Sequence, residues 1–382
     1  MLDLTCRHTR TAPPGGSSSR GFRKFTGQRS ITPMPESAFD TYAYAREVLL
    51  PSLRLESRPF VIQRPAAGGT SSRAFKVVIE RAPTLLLRTF DDIGRARRAA
   101  AALRHLEERR MAAPRLMFAD ISWTNRFTRT NGLPRYAIAE TWIDGQRALE
   151  AKDEAGTALM VAALLARFHS VSRSSWGRPG AVPDLRPYAA TTLRLSAKMI
   201  RELAGRGVLS EGEAAEAKSR FESWRPALMR IGAFQLCLND ANRRNFIITE
   251  DAGLVAVDVE RVSYEPCPEE VANALYHFCR RDENLAKRFL RAYLAAASRS
   301  ARDIWDRTGD FFTVLNTLKR LHRRTGSDAA AIVHPDDTER GAPPGIDARI
   351  PEWRKALAGL GGPPKIWPEP GSAPPPETIG ER

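Results

Sequence analysis

The amino-acid sequence predicts an α+β protein with two lobes, a small β-rich lobe followed by a larger helical one. Three observations lead to this fold class. Short apolar, β-branched runs dominate the chain before residue 150, and helical patterns dominate after it. One group of short β-type runs interrupts the helices between residues 234 and 260. The composition is that of a folded protein, because 42% of the 382 residues are hydrophobic.

The small lobe, residues 41–145, is expected to contain five strands and one helix. Turns rich in Gly, Ser and Pro separate the first strands, and a segment rich in Ala, Leu and Arg follows them as a helix. The predicted strands are 60–65, 74–81, 84–90, 115–123 and 135–143, and the predicted helix is 92–111.

The large lobe, residues 146–329, is expected to be mostly helical. Its first helix, 153–171, has apolar residues on all sides and should therefore be buried. Further helices are predicted at 186–230, 269–298 and 301–324, and short strands at 234–238, 246–249 and 254–260.

The two ends of the chain differ in composition from this central part. Residues 1–40 are basic and lack apolar periodicity, and residues 330–382 are rich in proline, so we expect a disordered arm and a mostly disordered tail. No apolar segment approaches the roughly 20 residues of a membrane span, and no apolar signal core follows the basic start. We therefore expect a cytoplasmic protein.

The chain is strongly basic, with 59 Lys and Arg against 44 Asp and Glu. The excess lies in the folded part, since residues 41–329 alone carry a formal charge of +14. Such a charge indicates a polyanionic partner: nucleic acid, an anionic membrane surface or a phosphorylated ligand. Four cysteines without a CxxC pair argue against a disulfide scaffold or a zinc ribbon.

The segment after the predicted strand 234–238 carries the strongest chemical motif. Asp240 and Asn245 are separated by four residues, and Asp258 and Glu260 stand at the end of the strand 254–260. Phosphoryl transfer needs such groups, because one carboxylate orients the acceptor hydroxyl while amide and carboxylate oxygens hold Mg²⁺. The alternative is a polar turn between strands, and the second acidic site argues against it.

With these motifs the sequence resembles the aminoglycoside phosphotransferase/choline kinase family, which has a protein-kinase-like fold, over residues 58–300. The resemblance implies that Asp240 is the catalytic aspartate and that ATP and Mg²⁺ are the cofactors. It also implies that Asn245 and Asp258 bind Mg²⁺ and that Glu260 is an auxiliary acid of the metal site.

The resemblance further implies a nucleotide site in the small lobe. The segment 136–145 is similar to the family's hinge, where Glu140, Thr141 and Trp142 would offer backbone groups to adenine. Arg88 stands where the family carries a cation for the phosphates, although a solvent-facing arginine on an edge strand is the alternative. A Gly/Ser turn that would cradle phosphates, or serve only as a hairpin turn, contains Gly68, Gly69, Thr70 and Ser71.

Two departures from the family pattern keep a second interpretation open. Leu238 and Asn239 replace the usual His and Gly of the catalytic loop. The helix 92–111 has no acid near Ala99, where one would pair with the cation at Arg88. The alternative to an active kinase is therefore a pseudokinase, a nucleotide-binding scaffold with little or no transfer.

Charge also bears on the acceptor and on other partners. Arg243 and Arg244 lie inside the catalytic loop, where they would contact an anionic acceptor or phosphate, or form a solvated loop tip. Because a basic body repels polycations, we expect a neutral or anionic sugar-like or glycan acceptor and disfavour aminoglycosides.

Two other anionic partners, a membrane surface and a nucleic acid, fit the positive charge of the chain. Cations at the end of the predicted helix 311–326 would either contact an anionic membrane peripherally or sit favourably at a helix C-terminus. A basic nucleic-acid-binding protein is a further alternative, but no Cys/His finger, helix-turn-helix or basic-aromatic RNA motif supports a specific nucleic acid.

Overall fold

The structure, a computed structural model, describes residues 40–64, 73–121, 136–182, 186–279 and 282–326. The chain divides into two units, Met1–Ala38 and Phe39–Arg382, and all described residues lie in the second. The N-terminal arm, the Pro-rich tail and the Gly/Ser turn at 65–72 fall outside the described residues, so the predictions made for them stay predictions.

A five-stranded antiparallel sheet forms the small lobe, with the strand order β1-β2-β3-β5-β4. Alternation places every second side chain of β2 in the lobe's own core, where Phe75, Val77 and Ile79 are buried. The strands are β1 Phe60–Gln63, β2 Arg73–Ile79, β3 Leu85–Phe90, β4 Leu116–Asp120 and β5 Tyr136–Thr141. A helical segment precedes them, comprising α1 Thr41–Tyr44, a π-helical turn Ala45–Leu49 and α2 Leu50–Ser52.

Helix α3, Ile93–Glu108, connects β3 to β4 and extends from the small lobe towards the large lobe. The side chain of Asp92 caps its start by accepting a hydrogen bond from the Gly94 N–H at 2.7 Å. Small alanines and leucines on one face are buried, so the helix lies close to the core. The same helix packs against the short 3₁₀ turn Val259–Arg261 of the large lobe, which places it beside the predicted metal site.

The chain leaves β5 and enters the large lobe through a turn that requires glycine. Gly145 has φ +150°, and a Cβ on it would lie 2.2 Å from the carbonyl oxygen of Ile248. The strand β6, Gln146–Arg147, then pairs with β9, Phe246–Ile248, directly after the predicted catalytic loop at 238–245. The linker between the lobes is thus attached to the segment that holds Asn245.

The large lobe is built around helix α4, Glu154–His169, which is buried as its apolar sequence predicts. Its other helices are α5 Tyr188–Gly205, α6 Glu211–Ser223, α7 Arg225–Met229, α8 Cys267–Cys279, α9 Glu283–Ala296 and α10 Arg299–Arg324. Two three-stranded sheets, β10-β9-β6 and β11-β8-β7, lie among them. Their remaining strands are β7 Ser172–Arg173, β8 Phe234–Cys237, β10 Leu254–Ala256 and β11 Ser263–Glu265.

The two-lobed α+β prediction is confirmed, and the helical regions predicted at 186–230 and 269–298 each contain more than one helix. The region 186–230 breaks after Gly205, where Gly207 has φ +69° and Ser210 starts α6 with a capping box. The segment 269–298 divides where Asp282 caps α9. In the part of the chain that the structure describes, no helix is long and apolar enough to cross a membrane.

Candidate active site

The catalytic loop begins with a residue in the left-handed conformation, Asn239, at φ +60°. Asparagine is one of the few residues other than glycine that adopts this conformation readily. Its side-chain amide donates to the Ser263 hydroxyl at 2.6 Å and to the Arg261 carbonyl at 3.2 Å. Asn239 therefore adopts a backbone conformation that is also easy for glycine, and its side chain links the loop to β11.

A buried carboxylate, Glu270 of α8, holds the start of the loop. It accepts hydrogen bonds from the Leu238 N–H at 3.0 Å and the Asn239 N–H at 2.6 Å. The buried His169 of α4 lies 2.9 Å from the same carboxylate and 2.8 Å from the Tyr293 hydroxyl. A polar network beneath the loop thus supports it in the absence of a loop histidine, whose position is taken by the buried Leu238.

The two polar residues of the loop motif, Asp240 and Asn245, are joined by a direct hydrogen bond. The Asn245 side-chain N–H donates to the Asp240 carbonyl at 3.0 Å, which leaves the amide oxygen for another ligand. The Asp240 carboxylate accepts from the Asn242 side chain at 2.8 Å and faces Arg261 at 3.9 Å. The carboxylate is about one-third exposed, so a substrate can reach it.

Asp258 is brought next to this loop by the β9–β10 hairpin. The Val257 N–H donates to the Asn245 carbonyl at 2.8 Å, and Asp258 itself is left-handed at φ +59°. Its carboxylate accepts from the Arg88 guanidinium at 2.7 Å, across 170 residues of sequence. The structure therefore brings Asp240, Asn245, Asp258 and Arg88 together at the face between the lobes.

An arginine of α3 stands close to where the family helix carries an acid. Arg95 donates to the Glu260 carboxylate through Nε at 3.2 Å and also through Nη2. Glu260 accepts in addition from Arg88 at 3.2 Å, while Ala99 is buried without a role in the pair. The acid that pairs with the strand cation thus comes from the turn after Asp258, and the helix contributes a second cation.

Charges in this cluster shift the pKa values of its buried members. Burial raises the pKa of Glu140 on β5 to about 7, the charges of Asp258 and Glu260 add to this, and Arg88 opposes it. Burial alone would lower the pKa of Arg88, but the charges of Asp258, Glu140 and Glu260 raise it. Arg88 therefore remains a guanidinium cation inside the site, as a phosphate-binding residue must.

The backbone N–H groups of Thr141 and Trp142, in the predicted hinge, have partners within the small lobe. The Thr141 N–H donates to the Arg115 carbonyl at 2.9 Å, and the Trp142 N–H donates to the Thr84 carbonyl at 3.0 Å. Both donors are thus used by the neighbouring strand ends. Instead, the Trp142 side chain is fixed by Lys76, 4.4 Å from its ring centroid, and by a bond from its indole N–H to Asp144 at 2.7 Å.

The two loop arginines separate in the structure, and the prediction for Arg243 is corrected. Its guanidinium is buried away from Asp240, donating to Glu154 at 3.2 Å and to the Ala148 carbonyl at 3.4 Å, because the 3₁₀ turn directs it under β6. Arg244 is half-buried, and its N–H donates to the Asn242 side chain at 2.9 Å. The predicted Gly68, Gly69, Thr70 and Ser71 lie outside the described residues.

The sequence did not single out Glu270 or Arg95, and each had an ordinary explanation there. Glu270 lies in the first turn of a helix, where acids are common because they complement the helix dipole. Arg95 belongs to a run of arginines on an exposed helix, and nothing in the run distinguishes it. Only contacts across more than 30 and 160 residues, respectively, assign them to the site.

A cavity of about 410 Å³ opens beside Asp240, on the side formed by the large lobe. The catalytic loop, α5, α8 and the last turns of α10 line it. Its volume is within the usual range for small-molecule sites. Asp240 therefore faces both the cleft with Asp258 and a separate pocket in the large lobe.

A small antiparallel sheet and a helical lobe that meet at a loop aspartate are the architecture of a kinase-like fold. The chain belongs to the phosphotransferase enzyme family, whose model matches residues 62–307. The predicted family relationship is confirmed. A comparison with curated protein sequences finds no match.

Solved structures share the fold at low sequence identity. One is a thermostable mutant of an aminoglycoside phosphotransferase in ternary complex with ADP and hygromycin B, with a TM-score of 0.54 and 12% identity. The match covers 83% of this chain and 99% of that one. Another is an aminoglycoside phosphotransferase, with a TM-score of 0.53, 12% identity and coverage of 82% and 97%. At such identities the likeness concerns the fold alone.

Proposed function

We propose that the protein is an ATP-dependent kinase that phosphorylates a hydroxyl group of a small molecule or glycan. One observation carries the proposal: Asp240, Asn245 and Asp258 converge with Arg88 between the lobes of a phosphotransferase fold. Structural neighbours crystallised with ADP or AMP-PNP support the use of a nucleotide.

Asp240 is the catalytic residue in this proposal. The acceptor oxygen forms a bond to the γ-phosphorus while the bond to the bridging oxygen breaks, and ADP leaves with that electron pair. The hydroxyl proton passes to the Asp240 carboxylate. The hydrogen bond from Asn242 orients this carboxylate, and the bond from Asn245 fixes its backbone.

The residues present fit a magnesium ion. Mg²⁺ prefers oxygen ligands, and Asp258 offers a carboxylate while Asn245 offers the amide oxygen that its hydrogen bond to Asp240 leaves available. Glu260 is the auxiliary acid. When bound, Mg²⁺ would neutralise charge on the phosphates. Arg88 would turn towards the α- and β-phosphates from its present place beside Asp258.

The other nucleotide-binding residues of the proposal line the small-lobe side. Glu140 is buried on β5, and its charge raises the pKa of Arg88. The Trp142 side chain, held by Lys76 and Asp144, offers a flat apolar surface next to the base. The Gly68–Ser71 turn remains the predicted phosphate cradle.

The pseudokinase alternative rests on the ion pairs of Arg88. This guanidinium is held by both Asp258 and Glu260, so nucleotide binding must exchange these contacts for phosphate. If the exchange is too costly, the site would bind nucleotide weakly and transfer nothing. The two interpretations predict different turnover for the same fold.

An ATP-consumption assay with a panel of hydroxylated acceptors distinguishes them. Asp240→Asn should lower turnover about 100- to 10,000-fold, because proton transfer by a positioned base contributes that much. The rise in melting temperature with Mg·ATP should persist in this variant. Asp310→Asn, an exposed aspartate on α10, is the matched control.

Three outcomes would count against the proposal. Unchanged turnover in Asp240→Asn would remove the catalytic role of that carboxylate. Nucleotide binding without consumption for every acceptor favours the pseudokinase. Stabilisation by RNA or DNA but not by Mg·ATP would return the basic nucleic-acid-binding alternative.

A further inference from the structure

The pocket beside Asp240 is lined by more cationic than anionic side chains. Five Lys and Arg side chains and three carboxylates line it. One of these carboxylates, Glu270, is buried and already accepts from the loop backbone. A second, Glu269, is paired with Lys319. Asp240 is the remaining acid, and it faces Arg261 at 3.9 Å.

The excess of positive charge in the pocket comes from the last two turns of α10. Arg323 and Arg324 follow Arg320 by three and four residues, so the three side chains share one side of the helix. All three line the pocket. The sequence also fits this helix end to an anionic membrane surface; in the structure its arginines line the pocket that contains Asp240.

Arg320 is preorganised for an anion. It is almost completely buried, and its guanidinium lies 3.2 Å from the ring centroid of Tyr276. Its Nε donates to Asn316 at 2.6 Å and its Nη2 to Asn273 at 2.8 Å. These two amide contacts fix the orientation of the guanidinium.

Arg323 lies near other cations. Partial burial lowers its pKa, and the charges of Arg261 and Arg324 lower it further, while Asp240 opposes the shift. Like charges held this close repel each other, and an anion placed between them relieves the repulsion. A cationic or polycationic molecule would increase it.

We propose, on the basis of the proposed kinase function, that the acceptor is an alcohol bearing an oxyanion, such as a sugar phosphate or sugar acid. Arg320, Arg323 and Arg324 bind the phosphate or carboxylate group, and the hydroxyl to be phosphorylated lies at Asp240. Guanidinium groups suit this task because they bind oxyanions through paired hydrogen bonds. The proposal narrows the neutral-or-anionic expectation to an anion.

The test compares probes that share one carbon skeleton but differ in charge. Melting temperatures of the full chain are measured with Mg²⁺ and AMP-PNP in the presence of glucose, glucose 6-phosphate, glucuronate or glucosamine. The anionic probes should stabilise the protein more than glucose, and glucosamine should stabilise it least. Glucose 6-phosphate and glucuronate distinguish phosphate from carboxylate, and vesicles containing phosphatidylinositol test a lipid-linked source of the same chemistry.

Arg323→Gln provides the residue-level test, because this side chain lies in the last turn of α10, is only partly buried and can be changed without opening the core. The dissociation constant of the preferred anionic probe should rise about tenfold or more, as expected for the loss of a charge-assisted hydrogen bond. Arg302→Gln, on an exposed turn of the same helix and outside the pocket, should leave it unchanged.

The outcomes separate this proposal from the kinase assignment. If the protein is stabilised by Mg·AMP-PNP but prefers glucose or glucosamine, the anionic acceptor is wrong and the kinase assignment stands. If no nucleotide stabilises the protein, the kinase assignment fails. Equal affinity of Arg323→Gln and Arg302→Gln for an anionic probe would overturn the role of the helix end.

Discussion

Replacing Arg95 by glutamine should uncouple α3 from the acidic turn that follows Asp258. Arg95 donates to Glu260 through both Nε and Nη2, and the Nε–Oε1 distance is 3.2 Å. Coulomb's law with an effective dielectric constant of about 20 gives a gross attraction of about 5 kcal/mol at this distance. The side chains are 22% and 14% exposed, so water screens the pair and dehydration offsets much of the attraction. A net coupling of about 1–3 kcal/mol remains.

A double-mutant cycle measures that coupling. Arg95→Gln, Glu260→Gln and the double variant are unfolded in urea, since guanidinium salt would screen the pair. Arg104→Gln on an exposed position of α3 is the control and should change stability by less than about 0.5 kcal/mol. Arg88 continues to bind Glu260 in Arg95→Gln, so the single variant should remain folded.

The result that refutes the reasoning is a coupling energy within about 0.3 kcal/mol of zero. The contact between Arg95 and Glu260 would then be an ion pair without energetic weight, and α3 would not position the turn that follows Asp258. A coupling in the expected range, together with weaker Mg·ATP binding by Arg95→Gln, would indicate that the helix cation positions the metal-binding turn.

Three further predictions concern the metal ligand, the loop support and a buried acid. Asp258→Ala should weaken Mg²⁺-dependent ATP binding at least about tenfold in calorimetry; equal affinity would exclude it as a ligand. Glu270→Gln should lower the free energy of unfolding by about 2–4 kcal/mol, because two loop amides lose a charged acceptor, whereas the exposed Glu216→Gln should have no effect. Burial, then the charge of Glu269, raises the pKa of Glu265 to about 7. Its proton therefore stabilises the fold below about pH 4.5, and this contribution is lost as the pH rises to 7. Glu265→Gln should thus gain stability relative to wild type between pH 5 and pH 8, by at most about 3 kcal/mol; a constant difference across this range would contradict the shift.

Much of the fold follows from periodicity and turn residues. The strands of the small lobe alternate apolar residues that face its core, and helix α4 is apolar on all sides and buried, so their patterns specify their environment. Periodicity alone does not show where a long helical region divides into separate helices. A break such as the one at Gly207 depends on a left-handed turn and a following cap, which a continuous amphipathic pattern hides.

The candidate site shows the same division between local and distant information. Asp240 and Asn245 lie five positions apart on one loop, and a short hairpin delivers Asp258, so local spacing was sufficient to select them. Arg243 lies in the same loop but is directed into the interior by a 3₁₀ turn. Spacing in a sequence does not say on which side of a loop a side chain emerges.

The sequence by itself determined the two-lobed α+β architecture, the loop and strand-end acids, and the excess of positive charge. The tertiary structure decided which partners these groups have. It paired Arg95 with Glu260 across 165 residues, placed Glu270 beneath the loop, and directed Arg320, Arg323 and Arg324 into the pocket of Asp240. The physical reason is that ion pairs and pockets form between elements distant in the chain, and their energies depend on distance and burial, which no local pattern encodes.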